Sequence, residues 1–369
     1  MPVSTGLTAL RQGSLSDLLS VLEATASAAD EYGRPAGDAL EALRASGVLA
    51  AAVPVRYGGF GGDALDTNRL VTRVAQADAS MAVVLFQHFA VTARLAEHGT
   101  QEQRERLLPA LGTGRWLAAS AWSEVGADED DPSMWAVLGD GGVWELDGLQ
   151  AYVTGAGLAD LYLVLAQAGG ADGEPAAGPT FFLVEAGNPG LASTPPMDLV
   201  GVRSSATGGI ALRRCRVGDR DRLGEVGRAA RVIAAVRECG ATLGAVSAGI
   251  AEAGYAHLVA GLRASGGLGD PAVRRRLADL ATRVEAVRAI VERAGRRDAP
   301  DPGTAALHSK LFASEVSESV LAEAARLLGG GAFLRSHPVN RLQRDARAVA
   351  LMGPSNDLCR DLVGAQWAG

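Results

Sequence analysis

Lysine is nearly missing from this chain. Of its 369 residues, 35 are basic, yet Lys310 is the single lysine and arginine supplies the rest. The 42 acidic residues outweigh them, leaving a formal net charge of −7. A chain that grips nucleic acid by its phosphates needs a basic face, so this balance argues against that class. Aromatic residues are also scarce, at 5% against 48% hydrophobic overall, so the core has to be made of Ala, Leu and Val. That composition suits packed helices. The three cysteines, Cys215, Cys239 and Cys359, are odd in number and far apart. No disulfide framework or zinc spacing follows from them, and a reducing cytoplasm is expected. The five histidines (His88, His98, His257, His308 and His337) offer no pair at metal-binding spacing. His88 reads as a satisfied core histidine, with a role at a cavity as the alternative, and His337 as a structural residue before Pro338. Long apolar runs are lacking too. Residues 81–86 are too few to cross a bilayer and are followed by Gln87-His88. The first thirteen residues lack the basic-then-apolar pattern of a signal peptide, so no membrane association is expected.

The length is ample for a sizeable core and two or three subdomains. Ser14 or Ser16 is placed to cap a first helix whose apolar side carries Leu18, Leu19, Val21 and Leu22. A second helix over 38–45 stops at Gly47, and Val53-Pro54 with Gly58-Gly59-Phe60-Gly61-Gly62 makes a loop. Helices follow over 66–76 and 80–97, and Thr100 with Gln103 forms a capping box for the next. From residue 116 the pattern becomes strand-like over 116–122, 143–146, 161–166, 180–184 and 209–217. Turns are predicted at Gly139-Asp140-Gly141-Gly142 and at Asp147-Gly148, and an exposed flexible loop over 169–178. Helical periodicity returns over 229–264, breaks at Gly266-Gly267-Leu268-Gly269-Asp270-Pro271, and resumes with Leu277, Leu280, Val284, Val287 and Val291. It continues over 303–328, and a last helix starts near Pro354. The predicted fold is mostly α with a middle β-domain. It comprises an N-terminal helical domain (1–115), a middle β-domain (116–225) and a C-terminal four-helix bundle (226–369).

Residues 326–360 are the most distinctive stretch. Gly329 and Gly330 stop an apolar helical run, and Gly331 and Ala332-Phe333 follow. Then come Pro338, Arg341, the cluster Arg344-Asp345-Ala346-Arg347, and the turn Gly353-Pro354-Ser355-Asn356-Asp357. Glycines after a helix admit close backbone approach, and Ser355 or Asp357 at a helix head suits a cap or a polar ligand. Arg344 and Asp345 read as an ion pair. This stretch resembles, without a gap, the C-terminal signature of the acyl-CoA dehydrogenase family. That signature is Q-x-x-G-G-x-G-[FY], then P-V-x-R-x-x-R-D-[AC]-[KR], then Y-E-G-T-[SN]-Q. Three further segments are similar to family motifs. Val53-Pro54-Val55-Arg56-Tyr57-Gly58-Gly59 matches V-P-E-E-Y-G-G, Trp122-Ser123-Glu124 falls in the T-E-P segment, and Tyr152-Val153-Thr154 matches W-I-T.

The resemblance implies the three-part architecture just given, with a small barrel or sandwich in the middle. It implies a homodimer or homotetramer, possible also with a sibling chain, and FAD at a subunit interface. It assigns flavin contacts to Trp122, Ser123, Tyr152 and Thr154. It assigns contacts to a neighbouring subunit's FAD to Arg263, Arg326, Gly329 and Gly330, and further ones to Ser355 and Asp357. The family's catalytic Glu columns hold Gly353 and, in another branch, Ala234. Glu238, one helical turn past Ala234, is the nominated replacement base, with a bundle-helix ion pair as its alternative. The acidic run Asp128-Glu129-Asp130-Asp131 is either a solvated loop or a repulsive face toward coenzyme A phosphates. Three functions stay open: a flavoenzyme dehydrogenating an acyl thioester on coenzyme A or a carrier protein, a flavin monooxygenase, which needs no such Glu, or a repurposed member without catalysis or FAD.

Overall fold

The computed structural model describes residues 12–122, 134–169 and 177–367. The N-terminal helices are α1 (Gln12–Tyr32), α2 (Gly37–Ala45), α3 (Ala64–Ala77), α4 (Ala79–His98) and α5 (Gln101–Gly112). Capping boxes start α3 (Asp63 with Asp66) and α5 (Thr100 with Gln103), and Asp78 caps α4 through the Ser80 and Met81 amides. The expected capping of α1 by Ser14 or Ser16 does not occur. Helix already starts at Gln12, so both serines lie inside it. Helix α4 is long and apolar enough to span a membrane, but 78% of its most apolar window is buried within the fold, where it serves as the central core helix.

The middle sheet contains β1 (Ala118–Ala121), β2 (Met134–Gly139), β3 (Val143–Val153), β4 (Leu161–Gly169), β5 (Gly178–Glu185), β6 (Leu191–Ser193), β7 (Gly208–Gly218) and β8 (Arg222–Leu223). Its order is β6-β7-β3-β2-β4-β5-β8, with β1 parallel to β4 beside β2. Side chains of a strand alternate between faces. Leu161, Leu163, Phe181 and Leu183 therefore join the core against α4 and α5, while Tyr162, Val164, Phe182 and Val184 fill the sheet's own core with Trp144 and Ile210. The Gly139–Gly142 turn forms as expected. Asp147-Gly148 does not turn but makes a bulge within β3, where the register against β7 shifts and Asp147 Oδ1 accepts from the Arg214 amide. Strands β2, β6 and β8 escaped the sequence reading because two of them are very short and β2 is half exposed. The loop expected over 169–178 and the acidic run 128–131 fall largely or wholly outside the described residues.

The bundle differs from the sequence expectation in two ways. The helix expected over 229–264 is two helices, α6 (Ala229–Glu238) and α7 (Gly244–Ala264). Gly240 between them has φ +86°, and a Cβ there would lie 2.3 Å from the Ala294 carbonyl oxygen. Buried Asn68 on α3 holds this break open, donating to the Gly240 carbonyl at 3.0 Å and accepting from the Thr242 amide at 3.2 Å. After α8 (Pro271–Arg296) and α9 (Pro302–Leu328), the fourth bundle helix is α10 (Pro338–Leu351), not one beginning near Pro354. The segment there is the short α11 (Asn356–Gly364), packed on α9. Asp270, Asp301 and His337 each cap the next helix just before a proline, a strong start signal.

Gly240→Ala is expected to cost about 2 kcal/mol or more, because the left-handed backbone penalty of about 1–2 kcal/mol adds to a backbone clash. Gly266→Ala, also at positive φ but in open space, is expected to cost about 1 kcal/mol. Urea unfolding of the two variants measures the difference, and equal losses would remove the break as a packing constraint.

Candidate active site

A cavity of about 930 Å³ opens where α3, α4, the ends of β1 and β3, the α6–α7 break and the α10–α11 turn converge. The sequence motif at Arg344-Asp345 builds one wall. The two residues do not pair with each other. Arg344 instead makes a two-pronged bond to Asp30 of α1, at 2.9 and 2.6 Å, and donates to the Val200 carbonyl at 2.9 Å. Buried Asp345 accepts from the Val202 amide at 2.7 Å. Gly201 lies so close to α10 that a Cβ would sit 2.0 Å from the Arg344 carbonyl oxygen. The loop through residues 200–202 is thus clamped between α1 and α10 and faces the cavity. Burial pushes the Asp345 carboxyl up to about 7, against the pull of the Val202 amide and Arg341.

Three of the expected flavin contacts reach this cavity. Tyr152 lies at its edge, 74% exposed with φ +57°. Buried Thr154 points its hydroxyl toward Thr207 Oγ1 at 3.4 Å, and Thr207 pairs with Ser205 Oγ at 2.7 Å. Trp122 forms the opposite wall, edge-on to Phe181, with the Arg94 guanidinium 5.4 Å from its ring centroid. An aromatic face, a broad apolar wall and a row of hydroxyls suit a flat ring with polar edges, so these residues fit an isoalloxazine. Ser123 lies outside the described residues.

The other expected site residues lie elsewhere. Arg263 ends α7, a helix of 21 residues, so it stands about 30 Å from the α6–α7 break at ~1.5 Å per residue. Arg326 ends the neighbouring α9, 72% exposed and paired with Glu323. Gly329 and Gly330 face open space beside Phe333, which is 90% exposed. Ser355 caps α11 through the Leu358 amide at 3.2 Å, and exposed Asp357 bonds Arg360. Within one chain, none of these six lines the cavity.

Glu238 is not brought to the cavity either. The face of α6 turned inward carries Ile233, Val236 and Arg237, spaced three and four residues apart. Ala234 and Glu238 form the next stripe and are exposed. Because the helix ends at Glu238 and the chain swings away at Gly240, the geometry that recommended Glu238 from a continuous helix is lost. Gly353, the other base column, does line the cavity. Among the described lining residues Asp63 is the only carboxylate, and it is engaged as the cap of α3, accepting from the Asp66 amide at 3.0 Å. His88 is a satisfied core histidine. Nε2 faces the Leu49 carbonyl at 3.1 Å and Nδ1 accepts from the Ala118 amide at 3.3 Å. Burial holds it neutral and lowers its pKa to about 4. Arg94, Arg237 and Lys310 line the cavity but were not singled out from the sequence. Lys310 carried a usable signal, being the chain's one lysine within an apolar helix.

Family models match along nearly the whole chain: acyl-CoA dehydrogenase N-terminal domain over 19–115, middle domain over 119–215 and C-terminal domain over 232–367. The chain is 32% identical over 342 residues to "Probable acyl-CoA dehydrogenase FadE25" of Mycobacterium tuberculosis, covering 90% of this chain and 87% of that protein. Butyryl-CoA dehydrogenase from Megasphaera elsdenii superposes with a TM-score of 0.90 at 26% identity over the full length of both chains. KijD3 in complex with FMN and a dTDP-amino-keto sugar superposes at 0.86 and 25% identity, covering 100% of this chain and 95% of that one.

Two buried groups give opposite pH signatures. His88 titrates lower folded than unfolded, so its contribution is present above about pH 6.5 and lost as pH falls toward 4. Asp345 titrates higher folded, so its contribution is present below about pH 4 and lost as pH rises through 7. The stability advantage of wild type over His88→Gln is expected to grow by on the order of 3 kcal/mol from pH 4 to 6.5, and that over Asp345→Asn to shrink by a similar amount up to pH 7. Urea titrations across this range check both, and pH-independent gaps would contradict the buried environments.

Proposed function

The chain belongs to the acyl-CoA dehydrogenase family, and from that premise we propose that it is a flavin-dependent oxidoreductase acting on a small molecule held in this cavity. The flavin, when bound, supplies the redox chemistry. Tyr152 and Thr154 would hold its ring, with Trp122 walling the substrate side. The FMN complex of the KijD3 relative supports a flavin here. FAD is the form expected from family kinship, and its outer half would need Arg263 and Arg326 from a second copy of the chain, since one chain leaves them at the far end of the bundle. A homodimer or larger homo-oligomer follows from that reading.

The observation that carries the choice of reaction is Gly353. Removing an α-proton next to a thioester needs a carboxylate over the substrate carbon. Neither Gly353 nor Ala234 offers one, Glu238 is outside, and Asp63 is engaged as a cap. This favours oxygen-dependent oxidation, which draws no α-proton into a protein carboxylate. Dehydrogenation of an acyl thioester is the second reading, favoured by the 32% identity to FadE25.

Anaerobic mixing of the flavin-loaded protein with butyryl-CoA is expected to leave the flavin oxidised, while supplied reduced flavin drives oxygen uptake when substrate is present. Gly353→Glu is expected to raise thioester-dependent bleaching at least about tenfold, within the usual gain from a positioned base. Rapid bleaching of wild type, unimproved in the variant, would install the second reading. Arg263→Ala with Arg326→Ala is expected to weaken FAD binding about tenfold and leave FMN unchanged, and an equal effect on both would remove the two arginines from the dinucleotide site.

A further inference from the structure

The reading of the cavity so far leaves Lys310 without a role. It sits on α9 at 3% exposure and forms part of the cavity wall. Its Nζ donates to the Ala350 carbonyl at 3.2 Å and to Asn356 Oδ1 at 2.7 Å. Ser314 Oγ donates to the same Asn356 oxygen at 3.1 Å. Ala350 and Asn356 stand three residues on either side of Gly353, so the ammonium lies under the turn that forms this part of the wall. A Cβ on Gly353 would meet nothing within 4 Å, so the space beside the turn is open.

An ammonium has three N–H donors, and two are taken among the described residues. Burying a cation with a donor left over costs stability unless an acceptor or an anion joins it. Burial already pushes Lys310 down to about 8, with Arg360 adding to the drop and Cys359 and Glu315 opposing it. Arg297 and Arg347 share the cavity wall and make no ion pair among the described residues, whereas Arg344 is neutralised by Asp30. The wall therefore has positive charge to spare, and Asp63, the one carboxylate among the described lining residues, is engaged as a helix cap.

We propose that Lys310 is a substrate-binding residue and that the substrate carries a carboxylate, seated on the Lys310 ammonium through the space that Gly353 leaves open. A carboxylate supplies the single negative charge and the acceptor lone pairs that one buried ammonium lacks. A neutral acyl chain would leave the cation unmatched. This inference rests on the cavity being the substrate site and is independent of which flavin reaction follows.

Isothermal titration calorimetry with benzoate and benzamide tests it, since the two probes share a shape and differ in charge. With the purified full chain plus added flavin at pH 7, benzoate is expected to bind at least about tenfold tighter than benzamide, as a desolvated charge pair would give. The preference is expected to fall below about twofold in Lys310→Met, and to fade in wild type as pH rises through about 8. Equal affinities, absence of benzoate binding at millimolar concentration, or a preference kept in Lys310→Met would overturn the proposal. Should Lys310→Met fail to fold, Gly353→Leu fills the open space with the lysine intact. It is expected to lose benzoate binding without a change in urea midpoint, and wild-type benzoate binding there would overturn the proposal. Visible spectra of the same samples separate the two levels. A yellow protein without benzoate preference defeats this inference alone, and a colourless protein with the preference defeats the flavin reading alone.

Discussion

The clamp made by Arg344 and Asp345 is the interaction on which the cavity depends. Here the N-terminal helices, the loop from the sheet and the bundle are joined by charge and hydrogen bonds rather than by apolar packing alone. Arg344 binds α1 through Asp30 and the loop through the Val200 carbonyl, and Asp345 holds the next amide but one. Without it, residues 200–202 would have no fixed distance from α10, and the wall opposite Trp122 would be undefined. The pairing is half-buried and two-pronged, the geometry in which an arginine–carboxylate bond has directional strength. Gly201 is the complement to this clamp: only a residue without a side chain lets the loop backbone lie on the Arg344 carbonyl.

Around that fixed wall, the chemistry has been shifted from acid to base. Where family resemblance leads one to expect a carboxylate over the substrate, the turn presents Gly353, and the charged side chains among the described lining residues are basic except for Asp63: Arg94, Arg237, Arg297, Lys310, Arg344 and Arg347. Arg94 is buried against Trp122, which both narrows the cavity and supplies a π face to a guanidinium. These residues leave Tyr152 and Thr154, proposed above to hold a flavin ring, at the cavity while changing the charge of the wall around it. A scaffold that positions a ring from rigid strand ends can accept such changes, because the walls that hold the ring and those that meet the substrate come from different elements.

The fold was legible in the sequence because its signals are local. Capping boxes, the Asp-Pro steps before α8 and α9, and the continuous apolar runs of β4 and β5 all act within a few residues. The signature around Arg344 could be recognised, but its physical partners could not, since Asp30 and Val202 are far away in the chain. The same reason explains the error at Glu238. Helical periodicity across 229–264 is real on both sides of Gly240, and the break is set by Asn68 and Ala294, which only tertiary packing brings there. A glycine followed by Ala-Thr was the one local hint. Likewise Arg263, Arg326, Gly329 and Gly330, which the resemblance assigns to the same cofactor as Tyr152, sit at the other end of the bundle. Sequence similarity alone does not separate two ends of one helix.

The visible absorption spectrum of the purified protein, before and after incubation with FAD and FMN, tests the central claim most directly. The expected result is the two bands of oxidised flavin at about one flavin per chain, retained through gel filtration. A colourless protein that takes up neither nucleotide would contradict it, and would mean that the cavity beneath Tyr152 and Thr154 has been turned to a task in which flavin has no part.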